Sequence, residues 1–105
     1  VRVPVMGGHS ESINLTLEKS FDLIEVKKLL AQSKGIILED DPENFKYPMP
    51  INARGKDEVF VGRIREDFSC ENSLNLWVVS DNLRKGAATN AIQILETIIS
   101  KGFIS

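Results

Sequence analysis

The sequence has one cysteine, one histidine, one tryptophan and four prolines in 105 residues, and each scarcity removes a class of protein. A single thiol, Cys70, rules out an internal disulfide framework and, with no secretory signal in view, predicts a reducing cytoplasmic setting. One histidine, one cysteine and scattered carboxylates give no ligand cluster with metal-site spacing. No apolar run approaches the ~20 residues that a bilayer-crossing helix needs. Charge of one sign is not concentrated either: 13 basic against 15 acidic residues leave a net charge of −2, which disfavours nucleic acid or an anionic membrane as a partner. The G-x-G-x-x-G pattern is absent, so any nucleotide-binding core lies elsewhere. There is no repeat, low-complexity tract or linker.

What is present fits one domain with one modest core: 42% of the residues are hydrophobic, and a chain of this length buries roughly two thirds of its unfolded surface. Ile13, Leu15 and Leu17 alternate with polar residues and predict a strand running on from a turn at His9. Val3, Pro4 and Val5 read as a strand-like run before that turn. Leu23, Val26, Leu29 and Leu30 recur at helical spacing behind Ser20 or Asp22, so a helix over about 22–33 is expected, stopped by Gly35. Residues 35–39 read as a short buried strand. Pro42, Pro48 and Pro50 make 42–57 a loop hostile to helix and central strand, long enough to be functional or docked on a partner.

Segments 58–65 and 73–79 predict an antiparallel hairpin around a polar turn. Val59 and Val61 oppose Phe60 and Ile64, so both faces of the hairpin should meet something apolar. Leu83 to about Lys101 carries Ala87, Ala88, Ala91, Ile92, Leu95, Ile98 and Ile99 on one side of an amphipathic helix ending at Gly102. The order β-α-β-loop-β-β-α argues for an α+β domain with a mixed or largely antiparallel sheet and helices on one face.

His9 is the natural candidate for moving a proton, because histidine titrates nearest neutral pH. On local spacing alone, a lone histidine in a Gly-flanked turn is more often a hydrogen-bonded loop residue. Gly7 and Gly8 permit a sharp corner and leave room beside it. Arg2 offers a planar fork of donors to a carboxylate or phosphate, or is a solvated charge. It can join His9 only if the Gly-Gly turn folds the chain back. Asp81 or Asn82 can cap the last helix, where free N–H groups could meet an anion or amide. Cys70 is an unpromising nucleophile, since Asp67 and Glu71 beside it oppose the thiolate. The Glu39-Asp40-Asp41 run reads as a solvated strand end.

Four segments in order bear a resemblance. Arg2-Val-Pro-Val with Gly8-His9-Ser10-Glu11, Asp40-Asp41-Pro42-Glu43-Asn44 with Tyr47-Pro48, Gly55 to Arg65, and Asn75 to Ala88 together resemble the bacterial aspartate-semialdehyde dehydrogenase family. That family is similar in architecture to glyceraldehyde-phosphate dehydrogenases, with a Rossmann domain followed by a catalytic and dimerisation domain. The resemblance implies that residues 1–105 are a fragment of the second domain. It implies His9 as general acid/base, Arg2 as the grip on the substrate carboxylate and Asn82 as a polar neighbour of the NADP nicotinamide.

The implied reaction is NADPH-dependent reductive dephosphorylation of L-aspartyl-4-phosphate to L-aspartate-4-semialdehyde, on the route to lysine, methionine and threonine. Aspartyl phosphate, aspartate semialdehyde and phosphate are the implied small-molecule partners, with a homodimer or homotetramer formed through this domain. The family's nucleophilic cysteine matches no residue here, so the chain alone is expected to be inactive. The competing expectation is a non-catalytic α+β interaction domain, with a structural His9 turn and a protein-binding hairpin face.

Overall fold

Alternation places the centre of the fold at the hairpin. In a computed structural model describing residues 1–102, apart from the Ala88 side chain, β3 (Val59–Glu66) and β4 (Ser73–Ser80) run antiparallel, with Phe60 opposite Val79 and Gly62 opposite Trp77. Strand β1 (His9–Thr16) adds antiparallel to β4, and the short β2 (Ile36–Leu38) adds parallel to β3. The order β1-β4-β3-β2 is the mixed sheet of an α+β domain.

Both faces of the hairpin are apolar, and the chain covers each differently. On one face Val61, Ile64 and Leu74 pack with Phe21, Leu23, Val26 and Leu30, the inner stripe of α1 (Leu23–Gln32) and its approach. Asp22 caps α1 by accepting the Ile24 N–H at 2.9 Å, which satisfies one of the helix's unpaired donors. On the other face Phe60 and Val79 meet Ala53, with Trp77 packed beside them.

That second cover comes from the proline-rich segment expected to be loop throughout. Pro42 opens a 3₁₀ turn (Pro42–Asn44), and Pro50 opens the four-residue helix α2 (Pro50–Ala53). A proline at the first helical position loses no hydrogen bond, so it starts helices that it could not continue. Pro48 is fully buried, and its carbonyl accepts the Trp77 indole N–H at 2.9 Å. Gly62 is glycine for want of space: a Cβ there would collide with the Glu39 carbonyl oxygen and lie 2.5 Å from Pro48 Cδ.

Three further expectations are corrected. The acidic run is not all solvated, because Asp40 has a side chain only 2% exposed, 2.9 Å from Lys27 Nζ. Its Oδ1 also accepts the N–H of Arg63, which sits at φ 54 in a β-bulge; a buried charge persists only when paired in this way. Residues 1–8 form no strand: Pro4 brings no donor, and the segment turns on itself through Val5 N–H to the Val3 carbonyl at 2.9 Å. The last helix is not continuous either. A π-helical turn (Arg84–Ala88) kinks at Ala87 (φ −141°, ψ −110°) before α3 (Thr89–Ser100). No residue of α3 is classed as buried, and Ile92, Ile94, Leu95 and Ile99 remain 50–58% exposed. No helix among the described residues is long and apolar enough to cross a membrane.

Candidate active site

His9 is the first residue of β1 and not part of the turn before it, paired across the sheet with Ser80. The turn is made by Gly7 and Gly8, at φ 74° and 82°, a left-handed conformation that costs other residues energy. Crowding demands glycine too: a Cβ on Gly7 would lie 2.7 Å from Arg54 Cδ, and one on Gly8 2.9 Å from Pro50 Cβ. The His9 Nε2 lies 3.4 Å from Glu11 Oε1 on the same side of the strand. With its side chain 41% exposed, the imidazole is accessible and has a carboxylate beside it.

The Gly-Gly turn does fold the chain back. The backbone nitrogen of Val1 donates to the Ser10 carbonyl at 3.0 Å, which brings the backbone of Arg2 beside β1. Arg2 itself is exposed and, among the described residues, makes no hydrogen bond or ion pair, so its guanidinium is free to grip an anion. His9 and Arg2 thus share one end of the sheet, with no hydrogen bond or ion pair between their side chains among the described residues.

Asn82 follows β4 at that same end, two residues beyond the partner of His9. Its amide is exposed and has no partner among the described residues, so one acceptor and two donors are available to a carboxamide or similar group. The turn that carries it is fixed by Asp81, which is 6% exposed. One carboxylate oxygen accepts the N–H groups of Leu83 (2.9 Å) and Arg84 (3.3 Å), and the other accepts that of Gly55 at 2.7 Å. The Gly55 bond is the chief reason that the Asp81 carboxyl titrates below the ordinary carboxylate range. Arg84 Nε reaches Asp57 at 2.7 Å and lowers that carboxyl in turn. The sequence pointed to Asp81 or Asn82 as a cap, and Asp81 is the one that serves. Its tie to Gly55 carried no sequence signal, being a contact between residues far apart in the chain. Cys70 is exposed in the β3–β4 turn, past the opposite end of the strand that His9 begins.

Comparison with known proteins gives this geometry a context. Residues 1–85 match the family described as semialdehyde dehydrogenase, dimerisation domain. The chain is 54% identical over 104 residues to an aspartate-semialdehyde dehydrogenase of Aquifex aeolicus, covering 99% of this chain and 31% of that protein. It is 50% identical over 99 residues to the enzyme of that name from Bacillus subtilis, covering 93% of this chain and 29% of that one. It therefore spans about a third of the length of these relatives. Among solved structures, aspartate semialdehyde dehydrogenase II of Vibrio cholerae, complexed with ASA, superimposes with a TM-score of 0.84 at 43% identity, over 96% of this chain and 30% of that one. The Candida albicans aspartate semialdehyde dehydrogenase with NADP gives 0.74 at 31% identity, over 98% and 33%. With the family model matching residues 1–85 and the fold superimposing over nearly the whole chain, one conclusion follows: the chain belongs to the semialdehyde dehydrogenase dimerisation-domain family.

Proposed function

We propose that the chain is the later part of a cytoplasmic, NADP-dependent aspartate-semialdehyde dehydrogenase that makes L-aspartate-4-semialdehyde from L-aspartyl-4-phosphate for lysine, methionine and threonine synthesis. The observation that carries this is the unbroken likeness to enzymes of that name over 99% of the chain. Arg2 holds the substrate carboxylate through its free guanidinium, so that the reacting carbon is fixed in place. His9 gives and takes the proton at the reacting oxygen or thiol, with Glu11 at 3.4 Å orienting the imidazole. NADP, when bound, supplies or accepts the hydride. Asn82 holds the nicotinamide carboxamide with its unpaired amide. The chain provides no thiol at this end of the sheet, so residues 1–105 alone should catalyse nothing.

The test is phosphate-dependent NADP reduction by aspartate semialdehyde, using the full gene product that carries this sequence. His9→Gln should lower kcat by about 10²–10⁴-fold, and Arg2→Ala should raise KM for aspartate semialdehyde more than KM for NADP. Wild-type turnover in both variants would overturn the assignment.

The subunit contact belongs to the sheet face opposite α1. There a cleft of about 490 Å³ is lined by Val5, Ser10, Phe45, Tyr47, Met49 and Trp77. Ser10 Oγ is buried in its wall with no hydrogen-bond partner among the described residues. Phe45 stands 83% exposed from a left-handed backbone at φ 56°, a strained display of an aromatic ring that a second copy would cover. The family match ends at residue 85 and so includes this face while excluding α3.

A further inference from the structure

One short segment braces both halves of the site. Pro50 and Arg54 press against Gly8 and Gly7, and Arg54 Nη1 donates to the Met6 carbonyl at 3.3 Å, which fixes the approach to His9. The next residue, Gly55, stands at φ 79° with open space where a Cβ would be, so its glycine serves backbone direction alone. Its N–H points to Asp81. A helix or turn cap needs one carboxylate oxygen, and Asp81 uses Oδ1 for that purpose on Leu83 and Arg84. The second oxygen, at 2.7 Å from a residue 26 positions away, is spent on a tie between the Asn82 turn and the segment that braces His9.

We infer that Asp81 is a positioning residue, whose carboxylate holds Asn82 in register with His9 by anchoring its turn to Gly55. The inference rests on the function proposed above. An ionised carboxylate is required, because both oxygens accept; an amide in its place keeps one acceptor and turns two donors on the other N–H. Asp81→Asn can therefore retain the cap on Leu83 and Arg84 while losing the tie to Gly55.

The experiment compares the full gene product with its Asp81→Asn and Asp67→Asn variants in the aspartate semialdehyde, phosphate and NADP assay. Asp67 is a fair control, because it too is a multiply bonded carboxylate, taking Ser69 N–H at 2.9 Å and Asn14 Nδ2 at 2.8 Å, at the far end of the sheet. Asp81→Asn should raise KM for NADP by about tenfold or more, the scale expected when a contact group is misplaced by a fraction of an ångström. KM for aspartate semialdehyde should move much less, and Asp67→Asn should leave both unchanged. An Asp81→Asn enzyme with unaltered KM for NADP and only a smaller active fraction would reduce Asp81 to a structural role and overturn the inference. Wild-type protein with no turnover would overturn the functional reading, and the positioning role with it, before any variant is made.

Discussion

Replacing Phe45 with asparagine should weaken association while leaving the subunit as stable as before. The ring is 83% exposed, so of the ~200 Å² that a phenylalanine can bury only about a sixth is covered within its own subunit. At about 25 cal/mol per Å² that cover contributes about 1 kcal/mol. Asparagine tolerates the left-handed backbone at φ 56°, recovering about 1 kcal/mol of strain, so the two terms nearly cancel. The backbone bonds that shape the loop, Phe45 N–H to Pro42 at 3.2 Å and Lys46 N–H to Asp41 at 2.9 Å, do not involve the side chain. Covered by a second copy, the remaining ring surface would stabilise the dimer by about 2–4 kcal/mol, so its loss raises the dimer Kd by at least about thirtyfold. Sedimentation equilibrium reads the Kd, and urea unfolding followed by the fluorescence of Trp77, the only tryptophan, reads the subunit. An unchanged Kd would refute the placement of Phe45 at the contact. A subunit loss of more than about 2 kcal/mol would show that the ring packs on its own chain.

Gly62→Ala should cost about 2–4 kcal/mol in the same unfolding assay, since the methyl meets the Glu39 carbonyl and Pro48 and must displace the 2.8 Å bond from Glu39 N–H to Val61. A change under about 0.5 kcal/mol would show that β2 yields freely. Acid should also destabilise the fold. Asp57, Asp67 and Asp81 are held below the ordinary carboxylate range chiefly by Arg84, Ser69 and Gly55 respectively. Folded values below unfolded ones mean stability that is present above about pH 4 and lost as pH falls through the folded values. The urea midpoint should therefore drop below about pH 4, and a midpoint that rises on acidification would contradict these assignments.

Strand and helix patterns were legible wherever the burying partner lies within the chain. The α1 stripe, apart from the exposed Leu29, and the two-phased apolar hairpin reappear, because α1 and the Pro48–Ala53 segment cover the two hairpin faces; the Ile13-Leu15 alternation reappears as the strand β1 through its pairing with β4. Proline misled at Pro42 and Pro50, where position within the turn outweighs the residue's reputation as a breaker. Asp40 misled because charge in a polar run gives no warning of a lysine on another element, here Lys27 of α1. For the site, spacing alone left His9 and Arg2 ambiguous, and the roles proposed for them rest on resemblance; the tie from Asp81 to Gly55 was invisible, since it depends on where α2 ends in space. Helical periodicity in α3 reported an apolar face without naming its cover, and residues 1–102 leave that face open.

Strand period gives β1 a division of labour that neither composition nor motif would reveal. Successive side chains point to opposite faces, and the register places His9 and Glu11 in the row with Ile13 and Leu15, opposite Ser80, Val78, Leu76 and Leu74. Ser10 and Ser12 belong to the other row, with Val79 and Trp77, and line the cleft that carries Phe45. Helix α1 packs over β2 and β3, so the His9 row lies beside it and not beneath it, and Leu15 stays 42% exposed. The residue proposed to transfer the proton and those lining the proposed subunit contact are thus neighbours on opposite faces of one strand. A slip of one residue would exchange the two rows, so the proposed division depends on the observed register of β1 against β4, which begins directly after the Gly7-Gly8 corner packed against Arg54 and Pro50.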